Sequence, residues 1–231
     1  WIPNLVREGH AFEDAVYYYN MGCVEILLQG RTLGWRGAGG GYDFPGIFEM
    51  LFRPDARNRA GQHGVPVDLS ELETFDDFLA AYLAELTHLI DTKLPAAVEQ
   101  GEAEDARRYD AFASAFTLDC LDRGRDMHHG GARYPAIRNA GGFGLGTAVD
   151  SLAAIERHVY EEGDVSLEQL REAIQANFDG YEALQRQLAG SPAFGTDDAK
   201  ADAIAGRVFD HFCDTVHAYN EKLEVPGRVA T

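Results

Sequence analysis

The stretch from Thr74 to Ile90 constrains the fold more than any other. Phe75, Phe78, Leu79, Tyr82, Leu83, Leu86, Leu89 and Ile90 recur at spacings of three and four, which lines them along one side of a long helix. The same periodicity predicts helices at about Ala106–Asp122, Val149–Glu162, Leu167–Phe178, Tyr181–Leu188 and Asp198–Lys222, with Ser166 and Gln169 at capping-box spacing before one of them. The first third of the chain lacks this period and reads as loop-rich. No repeat or disordered linker divides it from the helical remainder. With 231 residues and 45% apolar content, the chain is long enough for one substantial core or part of a larger one.

Composition excludes some partners. A net charge of −18 opposes any polyanion-binding surface, and no local basic patch offsets it, so nucleic acid is not an expected partner. There is no signal-peptide pattern and no unbroken apolar span of bilayer length, so no membrane association is expected. The first residue, Trp1, is not a methionine, and the chain reads as a segment of a longer protein. Cys23, Cys120 and Cys213 are odd in number, widely separated and without paired spacing, which suits a reducing cytoplasm and no disulfide. Cys120, His128 and His129 do not read as a metal set, because adjacent histidines diverge and no fourth ligand stands at zinc spacing.

Glycine gathers in "GWRGAGGGYDFPG" (34–46) and "GGARYPAIRNAGGFGLG" (130–146). Such runs read as loops that permit close approach of a ligand or another chain segment, and they are the candidate pocket walls. Neither carries the phosphate-loop Gly-Lys-Ser/Thr, and "GGFGLG" meets the dinucleotide fingerprint only loosely.

The chemistry-bearing stretch is "GCVEILL" at 22–28. In extended backbone, residues two apart project to the same side about 7 Å from each other, so Cys23 and Glu25 are expected to face one pocket. Gly22 frees the backbone for a sharp turn before the thiol. Ile26, Leu27 and Leu28 supply apolar surroundings that disfavour a thiolate. A neutral thiol in such a place suits radical chemistry, because a sulfur radical is uncharged and needs no cationic neighbour. Taken alone, Cys23 also reads as an ordinary small buried hydrophobe. Glu25 argues for function, since a carboxylate beside apolar positions has a desolvation cost to meet.

"GCVE" resembles the thiyl-cysteine motif of the glycyl radical enzymes, the group of pyruvate formate-lyase, diol dehydratases, choline trimethylamine-lyase and arylacetate decarboxylases. "LDCLDRGRDMHHGGARY" (118–134), "DSLAAI" (150–155) and "NFDGYEALQRQLAGSPAFGTDDAKAD" (177–202) are similar to later family stretches in the same order. The resemblance implies a helix-rich α/β chain, part of a ten-stranded barrel of two antiparallel half-barrels surrounded by helices, with Cys23 at the tip of a loop reaching the centre. Residues 1–231 then form the central to C-terminal portion of a pyruvate formate-lyase-like catalytic domain, with the glycyl radical domain and the N-terminal half absent.

The resemblance further implies a lyase or dehydratase of anaerobic metabolism. A glycyl radical on the missing C-terminal domain, installed by a radical-SAM activating enzyme, converts Cys23 to a thiyl that takes hydrogen from a small organic substrate. Glu25 then assists C–O, C–N, C–S or C–C cleavage as a base. The full-length protein is expected to be a homodimer, and the fragment alone inactive. Trp35, Arg36 and Tyr42 follow the thiol loop and are candidate substrate-binding residues, with Arg36 suited to a carboxylate, phosphonate or sulfonate.

Some positions depart from the family pattern. "GRVAT" at 227–231 lacks the glycine of the radical motif, Gly37 stands where diol dehydratases carry an acidic residue, Thr196 replaces an asparagine, and Pro135 follows Tyr134. Gly22 before Cys23 disfavours the pyruvate formate-lyase branch, which uses two adjacent cysteines. The competing expectation is a catalytically inactive helical interaction module that keeps the family fold.

Overall fold

A computed structural model describes residues 1–21, 25–33, 35–36, 41–53, 64–222 and 229–230. In chain order the elements are α1 (Ile2–Arg7), α2 (Phe12–Ala15), β1 (Tyr18–Met21), β2 (Glu25–Leu28), β3 (Trp35–Arg36), β4 (Gly41–Asp43), α3 (Gly46–Phe52) and α4 (Phe75–Asp105). They continue with α5 (Ala111–Ala115), α6 (Cys120–Arg123), β5 (Ile137–Asn139), β6 (Gly141–Phe143), α7 (Leu145–Ile155), α8 (Leu167–Gln175), α9 (Glu182–Leu188), α10 (Ala199–Glu221) and β7 (Val229–Ala230). The chain is a helix-rich α/β protein whose sheets are small: β1 with β2, β3 with β5 and β7, and β4 with β6. Among the described residues no helix is long and apolar enough to cross a membrane.

Two compact units make up the chain, one from residues 1–41, 90–141 and 214–231, the other from 42–89 and 142–213. In the second, α4 begins at a reciprocal cap. The Asp77 carboxylate accepts from the Thr74 backbone N–H at 2.8 Å, and the Thr74 hydroxyl accepts from the Asp77 N–H at 3.2 Å. Phe78, Leu79, Tyr82, Leu86 and Leu89 are buried, as their spacing requires. Tyr82 donates to the Phe44 carbonyl at 2.9 Å and packs against Phe48, while Phe212 of α10 meets the rings of Tyr42 and Phe44 edge-on at 5.5 Å.

Glu85 also lies on this stretch, 1% exposed, accepting from the Val65 N–H at 2.8 Å through Oε2. Its Oε1 has no hydrogen-bond partner among the described residues. Burial pushes its carboxyl above the ordinary range, only partly countered by the Val65 hydrogen bond and His88. The folded state therefore holds this proton more tightly than the unfolded chain, so the group favours folding at low pH and that contribution is lost as pH rises above the ordinary carboxylate range. Glu85→Gln removes the ionisation. Thermal unfolding should show little change at pH 4 and a gain of about 1 kcal/mol at pH 8, roughly 2–4 °C.

The structure corrects two sequence expectations. Residues 106–122 do not form one helix. The Asp110 carboxylate caps α5 through the Ala113 N–H at 2.8 Å, Leu118 donates its N–H to the Gly30 carbonyl at 2.7 Å, and Asp119 takes a left-handed conformation, φ 74°, before α6. Phe112, Phe116 and Leu121 within this stretch are exposed. Nor are the glycine-rich runs simply loops, because they contribute β3 and β4 from one and β5 and β6 from the other, and the strands pair between the runs. Glycine is required at 142, where a Cβ would lie 2.4 Å from the Phe44 ring. The helix expected at Val149–Glu162 starts earlier, at Leu145, and passes into a π-helical turn over Glu156–Glu161. The other helices stand within a few residues of expectation, and the Ser166 hydroxyl accepts from the Gln169 N–H at 3.1 Å as the capping spacing predicts.

Candidate functional site

The stretch that carries the candidate chemistry is built on an antiparallel pair. Tyr18 faces Leu28, Tyr19 faces Leu27, Asn20 faces Ile26 and Met21 faces Glu25. Residues 22–24, and with them Cys23, lie outside the described residues, as do the side chains of Glu25, Trp35 and Arg36. The expectation that Cys23 and Glu25 share a pocket falls there. Ile26, Leu27 and Leu28 are all buried, so β2 is covered on both faces, whereas Tyr19, Asn20 and Met21 of β1 are exposed. Ile26 and Leu28 pack with Leu5 and Ala15 in one apolar cluster, joined by Ile2, Tyr18 and Tyr134.

Where β2 ends, the backbone is locked. The Leu28 carbonyl accepts from the N–H groups of Arg31 and Thr32 at 3.0 and 3.2 Å, and Gly30 takes φ 64° to complete the turn. Tyr134 then donates its N–H to the Arg31 carbonyl at 3.0 Å, and Thr32 bridges Tyr134 in parallel fashion. This pairing continues into β3, where Trp35 and Arg36 align with Ile137 and Arg138 of β5.

Beneath the turn sits a charged knot. The Asp14 carboxylate, 10% exposed, accepts from Arg31 Nε at 2.6 Å, from the Tyr134 hydroxyl at 2.8 Å and from Arg133 Nη1 at 3.3 Å. Burial by itself would raise its pKa, but the hydrogen bonds from Arg31, Tyr134 and Arg133 together hold it below the usual carboxylate range. Arg133 also grips Asp119 through Nε and Nη2, the latter at 2.8 Å, and Arg31 lies over the Tyr17 ring. Tyr134 accepts from the Ala11 N–H at 3.0 Å and its ring packs against His10.

A cavity of about 580 Å³ opens beside this knot, lined by residues that include Leu33, Asp105, His128, Arg133, Tyr134 and Ala136. His128 Nδ1 lies 3.4 Å from an Asp105 oxygen, and His129 stacks on the Tyr109 ring at 4.1 Å. Cys120 begins α6, buried, with its thiol pushed up by burial and then by Asp126. Cys213 lies within α10, and both are free thiols on helices, as the sequence predicts. Among the described residues the group close enough to hold an ion is His158, Glu162 and Asp164, whose oxygens lie 3.2 Å from His158 Nδ1.

The family model described as pyruvate formate lyase-like matches residues 1–228. The chain belongs to the pyruvate formate lyase-like family, among the glycyl radical enzymes. It is 32% identical to the isethionate sulfite-lyase of Bilophila wadsworthia over 216 residues, which cover 90% of this chain and 25% of that protein. It is 29% identical to the trans-4-hydroxy-L-proline dehydratase of Clostridioides difficile over 223 residues, 93% of this chain and 27% of that one. The solved structure of the B12-independent glycerol dehydratase from Clostridium butyricum superposes with a TM-score of 0.81 at 28% identity, covering 94% of this chain and 28% of the other. The chain thus spans about a quarter of the length of the relatives it matches.

In this pyruvate formate lyase-like chain the glycine-rich "GGARY" stretch has a structural role, since it supplies Arg133 and Tyr134 to the knot. Gly131 is required there, because a Cβ would lie 2.1 Å from the Arg125 carbonyl oxygen. Tyr42, a candidate substrate contact, is wholly buried against Phe212. Sequence reasoning missed Asp14 and Arg31. Neither stands in a recognisable motif, and only their convergence on Arg133 and Tyr134 in space marks them.

Proposed function

We propose that the complete protein is a glycyl radical lyase or dehydratase in which Cys23 carries the thiyl and Glu25 is the base. The observation that carries this reading is the family match over residues 1–228, together with the "GCVE" sequence falling where β1 ends and β2 begins at Glu25. The small sheets are read as pieces of the ten-stranded barrel. The thiyl takes a hydrogen atom from a substrate carbon, leaving a thiol and a carbon radical. Glu25 accepts a proton from the substrate, the group on the neighbouring carbon leaves with its bonding electrons, and the product radical takes a hydrogen atom back from the Cys23 thiol, restoring the thiyl. The glycyl radical resides on a C-terminal domain beyond this chain, installed by a radical-SAM activating enzyme, in a homodimer. Trp35 and Arg36 are assigned to substrate contact. Tyr42, wholly buried on β4, is the third candidate.

The relatives act, by their names, on isethionate, trans-4-hydroxy-L-proline and glycerol. The substrate class proposed for this chain is accordingly a small, polar, hydroxyl-bearing molecule. The test is the full-length gene expressed with its activating enzyme and assayed without oxygen on those three compounds. An oxygen-sensitive glycyl radical signal with turnover of such a compound is expected. A full-length protein that accepts no radical and turns over nothing would instead mark it as the inactive interaction module.

A further inference from the structure

We infer that Asp14 is a positioning residue for the proposed site of Cys23 and Glu25: it fixes the base of β2, the strand that begins at Glu25. This rests on the reading of those two residues given above. Asp14 is distant in sequence from everything it holds, yet its carboxylate takes three side-chain donors, from Arg31 at the turn after β2 and from Arg133 and Tyr134 on the neighbouring segment. A nearly buried carboxylate with that many donors is a rigid fixture, because each charge-assisted bond restricts both partners and losing the charge leaves two guanidinium groups without it.

The hairpin is a lever about this point. From Leu28 at its base to Glu25 is three residues, about 10 Å at the strand rise. A tilt of about 0.1 radian at the base therefore moves the reacting end by about 1 Å, a displacement that costs on the order of a hundredfold in rate where hydrogen must pass between fixed atoms. Packing of Ile26 and Leu28 with Leu5 and Ala15 resists such a tilt, and so does the turn, where Arg31 is gripped by Asp14 through its side chain and by Tyr134 through its backbone carbonyl. Tyr134 is held in turn by Asp14 and Ala11. Thus one carboxylate anchors both strands of the contact that sets the direction of β2.

The test uses the full-length protein, anaerobically activated, with Asp14→Asn and Tyr134→Phe. Turnover of whichever of the three compounds the wild type accepts is divided by the glycyl radical count from electron paramagnetic resonance. A residue that only supports folding lowers the radical count or the unfolding midpoint and leaves turnover per radical unchanged. The positioning role predicts a radical count near wild type, with turnover per radical down about ten- to a hundredfold in Asp14→Asn and a few-fold in Tyr134→Phe, and a smaller change in KM. Hydrogen exchange in the full-length variant needs no substrate and should quicken at Ile26–Leu28 and Thr32. Should Asp14→Asn fail to fold, Tyr134→Phe decides by the same two measurements. Unchanged turnover per radical, or unchanged exchange across 25–33, overturns the inference while an inactive Cys23→Ser keeps the site reading intact. An active Cys23→Ser removes the site reading instead.

Discussion

Cys23→Ser in the activated full-length protein should carry the glycyl radical and turn nothing over. A hydroxyl hydrogen is far harder to abstract than a thiol hydrogen, so the serine does not give a hydrogen atom to the glycyl radical and never becomes the radical that takes one from substrate. The two side chains are close in size, and the hairpin is held by residues outside 22–24, through Leu28, Arg31 and Asp14, so the variant is expected to fold and to accept activation. The check pairs anaerobic turnover with spin counting and an unfolding curve.

Glu25→Gln should act differently. The amide keeps the shape of the side chain and its place at the start of β2 opposite Met21, but cannot take a proton. Loss of a general base costs roughly a hundred- to ten-thousand-fold, and the loss should fall on kcat, with hydrogen abstraction by the thiyl still possible. Rapid freezing during turnover should then show radical leaving the glycyl centre without product forming at the wild-type rate. An unaffected Glu25→Gln would leave the radical chemistry in place and move the base to another residue.

What the sequence made legible, and what it did not, divides along physical lines. The α4 stripe was readable because Phe78, Leu79, Tyr82 and Leu86 obey helical spacing and are buried where they fall. Cys213 was placed on its helix by the same periodicity. The stretch 106–122 misled because its apolar residues, Phe112, Phe116 and Leu121 among them, have no burial to enforce a continuous helix, while Asp110, Asp119 and the Leu118 bond to Gly30 set local geometry instead. The glycine runs read as loops because strand pairing between distant segments leaves no local period. Their short strands depend on close approach, as at Gly142 against Phe44.

The site divides similarly. Cys23 and Glu25 are proposed from chemistry and spacing that are local in the sequence. Asp14, Arg31, Asp119 and Arg133 are isolated charges in the sequence, and only folding turns them into a network. A net charge of −18 conveys nothing of this, since paired opposite charges cancel in the sum. The acidic balance does bear on partners, and it stands against a polyanion surface.

The central claim is that Cys23 and Glu25 address one substrate from the same hairpin. The most direct measurement is an anaerobic crystal structure of the full-length protein with its substrate bound. The account predicts the Cys23 sulfur against the substrate carbon that loses hydrogen and the Glu25 carboxylate within hydrogen-bond reach of the same molecule. A structure in which the two side chains point into separate environments, or in which the substrate lies away from Cys23, would contradict it.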